Sequence, residues 1–208
     1  MYTRIKICGI TRVEDGLAAA RLGADAIGLV FYDRSPRAVG IEKAGEIARA
    51  LPPFVTVVGL FVNPPAAWVE SVLDSVPIDL LQFHGDESRE ACERYGRPYL
   101  KAVRMREGVD LTELEHQYES AQGLLLDAYR KGTYGGTGET FDWSRIPRKR
   151  RKPIVLAGGL TPDNVEEAVC RVRPEAVDVS GGVEVSRGVK DRSLIEAFIR
   201  GVRNAKCG

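Results

Sequence analysis

The chain has 208 residues, 44% hydrophobic and 28% charged, a composition that suits a globular domain with one substantial core. Lysine plus arginine (30) almost balances aspartate plus glutamate (29), so no global field marks nucleic acid or an anionic membrane as partner. No apolar run approaches the roughly 18 residues of a membrane helix, and no leader-like segment opens the chain, so a cytoplasmic protein is expected.

Short apolar, β-rich runs recur in chain order: Arg4–Cys8, Ala26–Phe31, Val55–Phe61, Asp79–Phe83, Tyr99–Val103, Gly123–Asp127, Ile154–Ala157 and Ala176–Val179. Several are almost continuously apolar, as parallel strands covered on both faces are, and most intervening segments carry helical periodicity. Helix-start chemistry falls between them: Thr11 to Glu14 and Asp110 to Glu113 fit the capping box, and Thr161-Pro162 places a cap before a first-turn proline. Eight even β-plus-α units predict a single (β/α)₈ TIM barrel over residues 1–208, with a central eight-stranded parallel sheet. No composition break or linker suggests a domain boundary.

The four cysteines, Cys8, Cys92, Cys170 and Cys207, include no C-x-x-C pair and suit neither a disulfide framework nor a zinc site. Cys92 and Cys170 fall in helical patterns and are expected in the core, with Cys207 in a frayed tail. The basic run Arg145 to Lys152 lacks interleaved aromatics and reads as a solvated loop rather than a nucleic-acid patch.

Barrel active sites lie at the C-terminal strand ends. The ends of strands seven and eight carry the pairs Gly158-Gly159 and Gly181-Gly182, the latter preceded by Ser180. Glycine admits close backbone approach, and successive N–H groups form an anion nest, so these pairs point to a phosphate site. Lys131 to Glu139 reads as a lid in which Gly136 and Gly138 add N–H donors. Asp127 ends strand six beside apolar residues, where partial desolvation suits a carboxyl group to hold a proton as general acid. Cys8 ends strand one and reads equally as an inert core thiol or a reactive one. Arg37 lies in the loop after strand two and could fork onto a substrate carboxylate, although Arg34 is a competing choice. His84, after strand four, either lines the pocket or orients a loop.

Taken together, Lys6-Ile-Cys-Gly-Ile-Thr11, Gly28 to Phe31 with Ser35-Pro-Arg37, Val58 to Val62, Leu81-Gln-Phe-His-Gly85, Leu126-Asp127 with Gly135 to Gly138, Leu156 to Leu160 and Asp178 to Glu184 resemble the phosphoribosylanthranilate isomerase family along the whole chain. The resemblance implies Cys8 as general base, Asp127 as general acid and Arg37 as the anchor for the anthranilate carboxylate. It also implies an Amadori rearrangement in tryptophan biosynthesis, a phosphorylated small molecule as partner, and a monomer or homodimer. The steps are proton transfers, so neither metal nor redox cofactor is expected. Two rivals are another phosphosugar isomerase of the phosphate-binding barrels, in which an aspartate stands where Cys8 does, and a non-catalytic barrel that senses a phosphorylated metabolite.

Overall fold

The computed structural model of the chain describes residues 2–128, 140–205 and 207. Eight parallel strands, β1 (Arg4–Cys8), β2 (Ala26–Val30), β3 (Thr56–Phe61), β4 (Leu80–Phe83), β5 (Tyr99–Arg104), β6 (Gly123–Asp127), β7 (Ile154–Leu156) and β8 (Ala176–Val179), pair in sequence order. β8 then pairs with β1 to close the barrel, with Ile5 opposite Val177 and Lys6 opposite Asp178.

The helices on the outside are α1 (Val13–Leu22), α2 (Ile41–Ala50), α3 (Ala66–Ser75), α4 (Arg89–Glu93), α5 (Leu111–Gln117), α6 (Val165–Val172) and α7 (Arg192–Asn204). Between β6 and β7 the described residues contain only a 3₁₀ turn, Trp143–Arg145. After β8 a second 3₁₀ turn, Gly181–Val183, leads into a small antiparallel hairpin, β9 (Glu184–Ser186) and β10 (Val189–Lys190). Among the described residues no helix is long and apolar enough to cross a membrane.

The period of two along each strand sorts its side chains. Ile5, Ile7, Leu124, Leu126, Val177 and Val179 join the large core between sheet and helices. Their neighbours Leu100, Ala102, Leu125, Val155 and Ala157 form a separate cluster inside the barrel, and Cys8 packs with Val30, Leu60 and Val62. A one-residue slip of any strand would exchange these two sets, so apolar burial on both faces specifies the register. At the N-terminal rim, carboxylates just before or beside strand starts bind neighbouring strand N–H groups: Asp25 accepts from Ile5, Asp79 from Val57 and Glu175 from Ile154.

Local helix signals were met unevenly. Asp110 caps α5 by accepting from Thr112 and Glu113 N–H, and Asp191 caps α7 in the same way. The cap expected at Thr11 is not made: α1 begins one residue later, and the Thr11 hydroxyl donates instead to the Gly188 carbonyl. Thr161-Pro162 opens a turn rather than the helix, because α6 starts only at Val165.

Two further expectations are corrected. Cys170 and Cys207 form a disulfide, Cα to Cα 4.8 Å, tying α6 to the residues after α7. The sequence could not show this, because the two helices meet only through barrel packing. Cys92 is buried as expected. The basic run is not simply solvated. Arg145 donates to the Met105 and Arg106 carbonyls, Arg150 to those of Val172 and Arg173 at the end of α6, and Lys152 to those of Glu119 and Ala121. These cations satisfy carbonyls left open at helix and loop ends.

Candidate active site

Because Ile5, Ile7, Leu124 and Leu126 face the helices, Lys6, Cys8, Leu125 and Asp127 fall on the opposite, inward side of β1 and β6. Cys8 and Asp127 therefore end their strands at the C-terminal mouth of the barrel. Both are buried, at 5% and 4% exposure, in surroundings where charge-assisted bonds gain strength.

Both oxygens of Asp127 are held. Its Oδ1 accepts from the Ala128 N–H at 2.9 Å, and its Oδ2 meets His84 Nε2 at 3.1 Å. His84 Nδ1 in turn lies 3.0 Å from Gln82 Nε2. With the Gln82 amide so oriented, Nδ1 accepts, the imidazole proton sits on Nε2, and His84 donates to Asp127. Gln82 is fully buried and its Oε1 has no partner among the described residues.

The loop bearing His84 is fixed underneath by buried charge. Glu87 accepts from the N–H groups of Asn63 and Gly85, while Lys101 Nζ donates to the Gly85 carbonyl at 2.7 Å and to Glu87 at 2.9 Å. Pairing with several hydrogen bonds is what makes such buried charges tolerable.

Cys8 sits in a cluster of charges. Lys6, two residues earlier on the same face, donates to Asp178 at 2.8 Å, and both are buried. Burial pushes the Cys8 thiol above its ordinary range, with Lys6 pulling it down and Asp178 adding to the rise. Arg37 reaches across the mouth so closely over Gly9 that a Cβ there would stand 2.5 Å from its Cδ. Its fork binds Glu184 through Nε and Nη2, each at 2.7 Å. Lys190 donates to Glu184 at 2.7 Å and to the Ser180 carbonyl at 3.1 Å. Although burial raises the Glu184 carboxyl, Arg37 and Lys190 outweigh it and hold the group below the usual carboxylate range.

The glycine pairs lie together. Gly158 and Gly159 take φ of +81° and +64°, in the left-handed region that favours glycine. A Cβ on Gly182 would come within 2.0 Å of the Leu160 carbonyl oxygen, so the loops after β7 and β8 are in direct contact. Among the described residues, none of the N–H groups of Gly158, Gly159, Gly181 and Gly182 has an acceptor. Asn164 holds the first pair in place through the Gly159 carbonyl. Gly136 and Gly138, with the rest of the expected lid, lie outside the described residues.

The structure thus gathers Cys8, Arg37 and Ser180 with the Gly181-Gly182 pair on one side, and His84 with Asp127 on another. Sequence reasoning passed over Lys6, Gln82, Asp178, Glu184 and Lys190. The available signal was a polar residue at an inward position of an apolar strand: Lys6, Gln82 and Asp178 each interrupt such a run. Among the described residues no group of three or more His, Cys, Asp or Glu side chains is arranged to hold a metal ion.

Comparison with known proteins gives one answer. Residues 5–201 match the family model described as N-(5'phosphoribosyl)anthranilate (PRA) isomerase. The N-(5'-phosphoribosyl)anthranilate isomerase of Nitrosococcus oceani is 63% identical over 97% of this chain and 98% of its own. The crystal structure of phosphoribosyl anthranilate isomerase from Thermotoga maritima is 41% identical, with a TM-score of 0.89 over 97% of this chain and 98% of that one. A solved phosphoribosyl anthranilate isomerase in complex with reduced 1-(o-carboxyphenylamino)-1-deoxyribulose 5-phosphate is 40% identical, with a TM-score of 0.86 and the same coverage.

Proposed function

The chain belongs to the N-(5'-phosphoribosyl)anthranilate isomerase family, and from that premise we propose how its residues divide the reaction. The enzyme isomerises N-(5-phosphoribosyl)anthranilate to 1-(2-carboxyphenylamino)-1-deoxyribulose 5-phosphate, an acid/base Amadori rearrangement in tryptophan biosynthesis.

Asp127 delivers a proton to the furanose ring oxygen as the bond from that oxygen to C1′ breaks, leaving an open-chain protonated imine. The carboxylate that remains is stabilised by the Ala128 N–H and by His84. Cys8, as thiolate, removes the C2′ proton, whose electrons become the double bond of an enolamine while the imine nitrogen is neutralised. Tautomerisation of the enol at C2′ gives the ketone. Ser180 and the N–H groups of Gly158, Gly159, Gly181 and Gly182 hold the 5′-phosphate, joined by Gly136 and Gly138. Arg37, oriented by Glu184, takes the anthranilate carboxylate.

One observation carries the reading most: the strand register that points Cys8 and Asp127 inward at the same rim, beside four glycine N–H donors that have no acceptor among the described residues. It is tested by the loss of phosphoribosylanthranilate fluorescence with purified protein. Cys8→Ala and Asp127→Asn should each lower kcat by about 10²- to 10⁴-fold with the fold intact, whereas a fully active Cys8→Ala protein would remove Cys8 as the base. We assign residues 1–208 to one catalytic domain working in the cytoplasm as a monomer or homodimer, which fractionation and light scattering test.

A further inference from the structure

We propose that Lys6 is a positioning residue for the proton abstraction: its ammonium, anchored by Asp178, stands against Cys8 and stabilises it as the thiolate. This rests on the assignment of Cys8 as the base and supplies what that assignment lacks, a cause for the thiolate.

Three observations carry it. Lys6 and Cys8 are two residues apart on β1 and share its inward face. Lys6 is directly opposite Asp178 in the ladder that closes the barrel, so the 2.8 Å ion pair is built into the strand register. Gly28 is opposite Cys8 in the neighbouring strand, and a Cβ on it would lie 2.8 Å from Cys8 Sγ and 3.0 Å from Lys6 Nζ. Sulfur and ammonium therefore crowd the same point over Gly28, too closely for any side chain there.

The surrounding charges agree. The thiol is faced by Lys6 from β1, Asp178 from β8, Lys190 from β10 and Arg37 from the loop after β2, with Glu184 binding the last two. Three cations oppose two carboxylates, so before substrate arrives the cluster carries an excess positive charge that favours the thiolate form against burial. Burial by itself lowers the Lys6 ammonium. Asp178 and Cys8 instead raise it to about 12, so Lys6 stays protonated at neutral pH and is not itself the base. Burial still leaves the thiol above its ordinary range; Lys6 limits a rise that would otherwise empty the thiolate form.

The test is the rate of Cys8 alkylation by iodoacetamide against pH, read by peptide mass spectrometry, beside the pH profile of kcat/KM. Lys6→Met leaves Asp178 as an unpaired buried carboxylate and risks unfolding, so Lys6→Met/Asp178→Asn, which removes both charges, is measured with it. Relative to its own parent, the native chain for Lys6→Met and Asp178→Asn for the double variant, the Cys8 alkylation rate at about pH 7.5 should fall at least about tenfold, the equivalent of one unit of thiol pKa. The rising limb of kcat/KM should move to higher pH by the same interval, and Lys6→Arg should restore both. A Cys8 alkylation midpoint in the folded double variant no higher than that of Asp178→Asn alone overturns the proposal, even if turnover is lost, since Lys6 would then act on something other than the thiol. Failure of the base assignment is read separately, as turnover by Cys8→Ala.

Discussion

Arg37 and Glu184 meet through two parallel hydrogen bonds, Nε to Oε1 and Nη2 to Oε2, each 2.7 Å, between the loop after β2 and the first residue of β9. A guanidinium expected to grip substrate is thus already committed on one edge to a protein carboxylate. The commitment fixes its plane, leaves Nη1 out of the Glu184 pair, and so prepares the charge rather than consuming it.

Removing the arginine should then cost substrate binding. Arg37→Ala is expected to raise KM by about ten- to a hundredfold, the equivalent of a charged hydrogen bond of about 1.5–3 kcal/mol, with a smaller change in kcat. Glu184→Gln should raise KM less, because it loosens Arg37 without deleting it. Steady-state fluorescence kinetics separate the cases, and an unchanged KM in Arg37→Ala places the carboxylate elsewhere.

Gly158 should tolerate no side chain. Its φ of +81° disfavours other residues, and a Cβ would lie 2.4 Å from the Ala128 nitrogen and 3.0 Å from Asp127 Oδ1. Gly158→Ala is expected to lose about 1–3 kcal/mol of stability from backbone strain. It should also lower kcat, because Ala128 N–H would be pushed off Asp127. A denaturant titration and turnover measured on one preparation check both, and a parent-like kcat shows that the Ala128 contact does not matter.

The pH dependence follows from the buried thiol. Burial raises the Cys8 thiol, and only the thiolate accepts a proton, so kcat/KM should rise with pH along a limb alkaline of about 8.5, the ordinary cysteine value. The fold prefers the neutral thiol. Its stabilising contribution is therefore complete below the ordinary thiol pKa and is lost as pH rises through the raised one. Cys8→Asp replaces the thiol with a carboxylate and should move the limb of any remaining activity to acid pH; a limb that stays put belongs to another group.

The Cys170–Cys207 bond predicts a simple count. Denatured, unreduced protein should take up alkylating reagent at Cys8 and Cys92 and at no other position. Cys207→Ser should destabilise by about 2–4 kcal/mol in the chain-entropy account. Intact mass and thermal melting read these out, and alkylation of all four cysteines shows the bond to be open.

How much of this was legible beforehand depended on the distance over which each feature is specified. The eight strands were visible in their apolar runs, and the α5 cap in Asp110, because both are set by neighbours a few positions away. Cys8, Asp127 and the glycine pairs could be picked out because strand ends are local features and the barrel rule turns them into one rim. Thr11 misled because its hydroxyl found the Gly188 carbonyl, a partner far along the chain. His84 could be located but not given a task, because its contact with Asp127 runs from β4 to β6 across an intervening strand.

The sequence by itself determined the repeated strand and helix period and which polar groups end the strands. These follow from the geometry of single elements. The tertiary structure alone decided which charges meet. Lys6 finds Asp178 across 172 positions, and Arg37 finds Glu184 across 147. Both pairs exist because β8 closes onto β1 in one register, which the packing of the two apolar faces selects and no local pattern encodes.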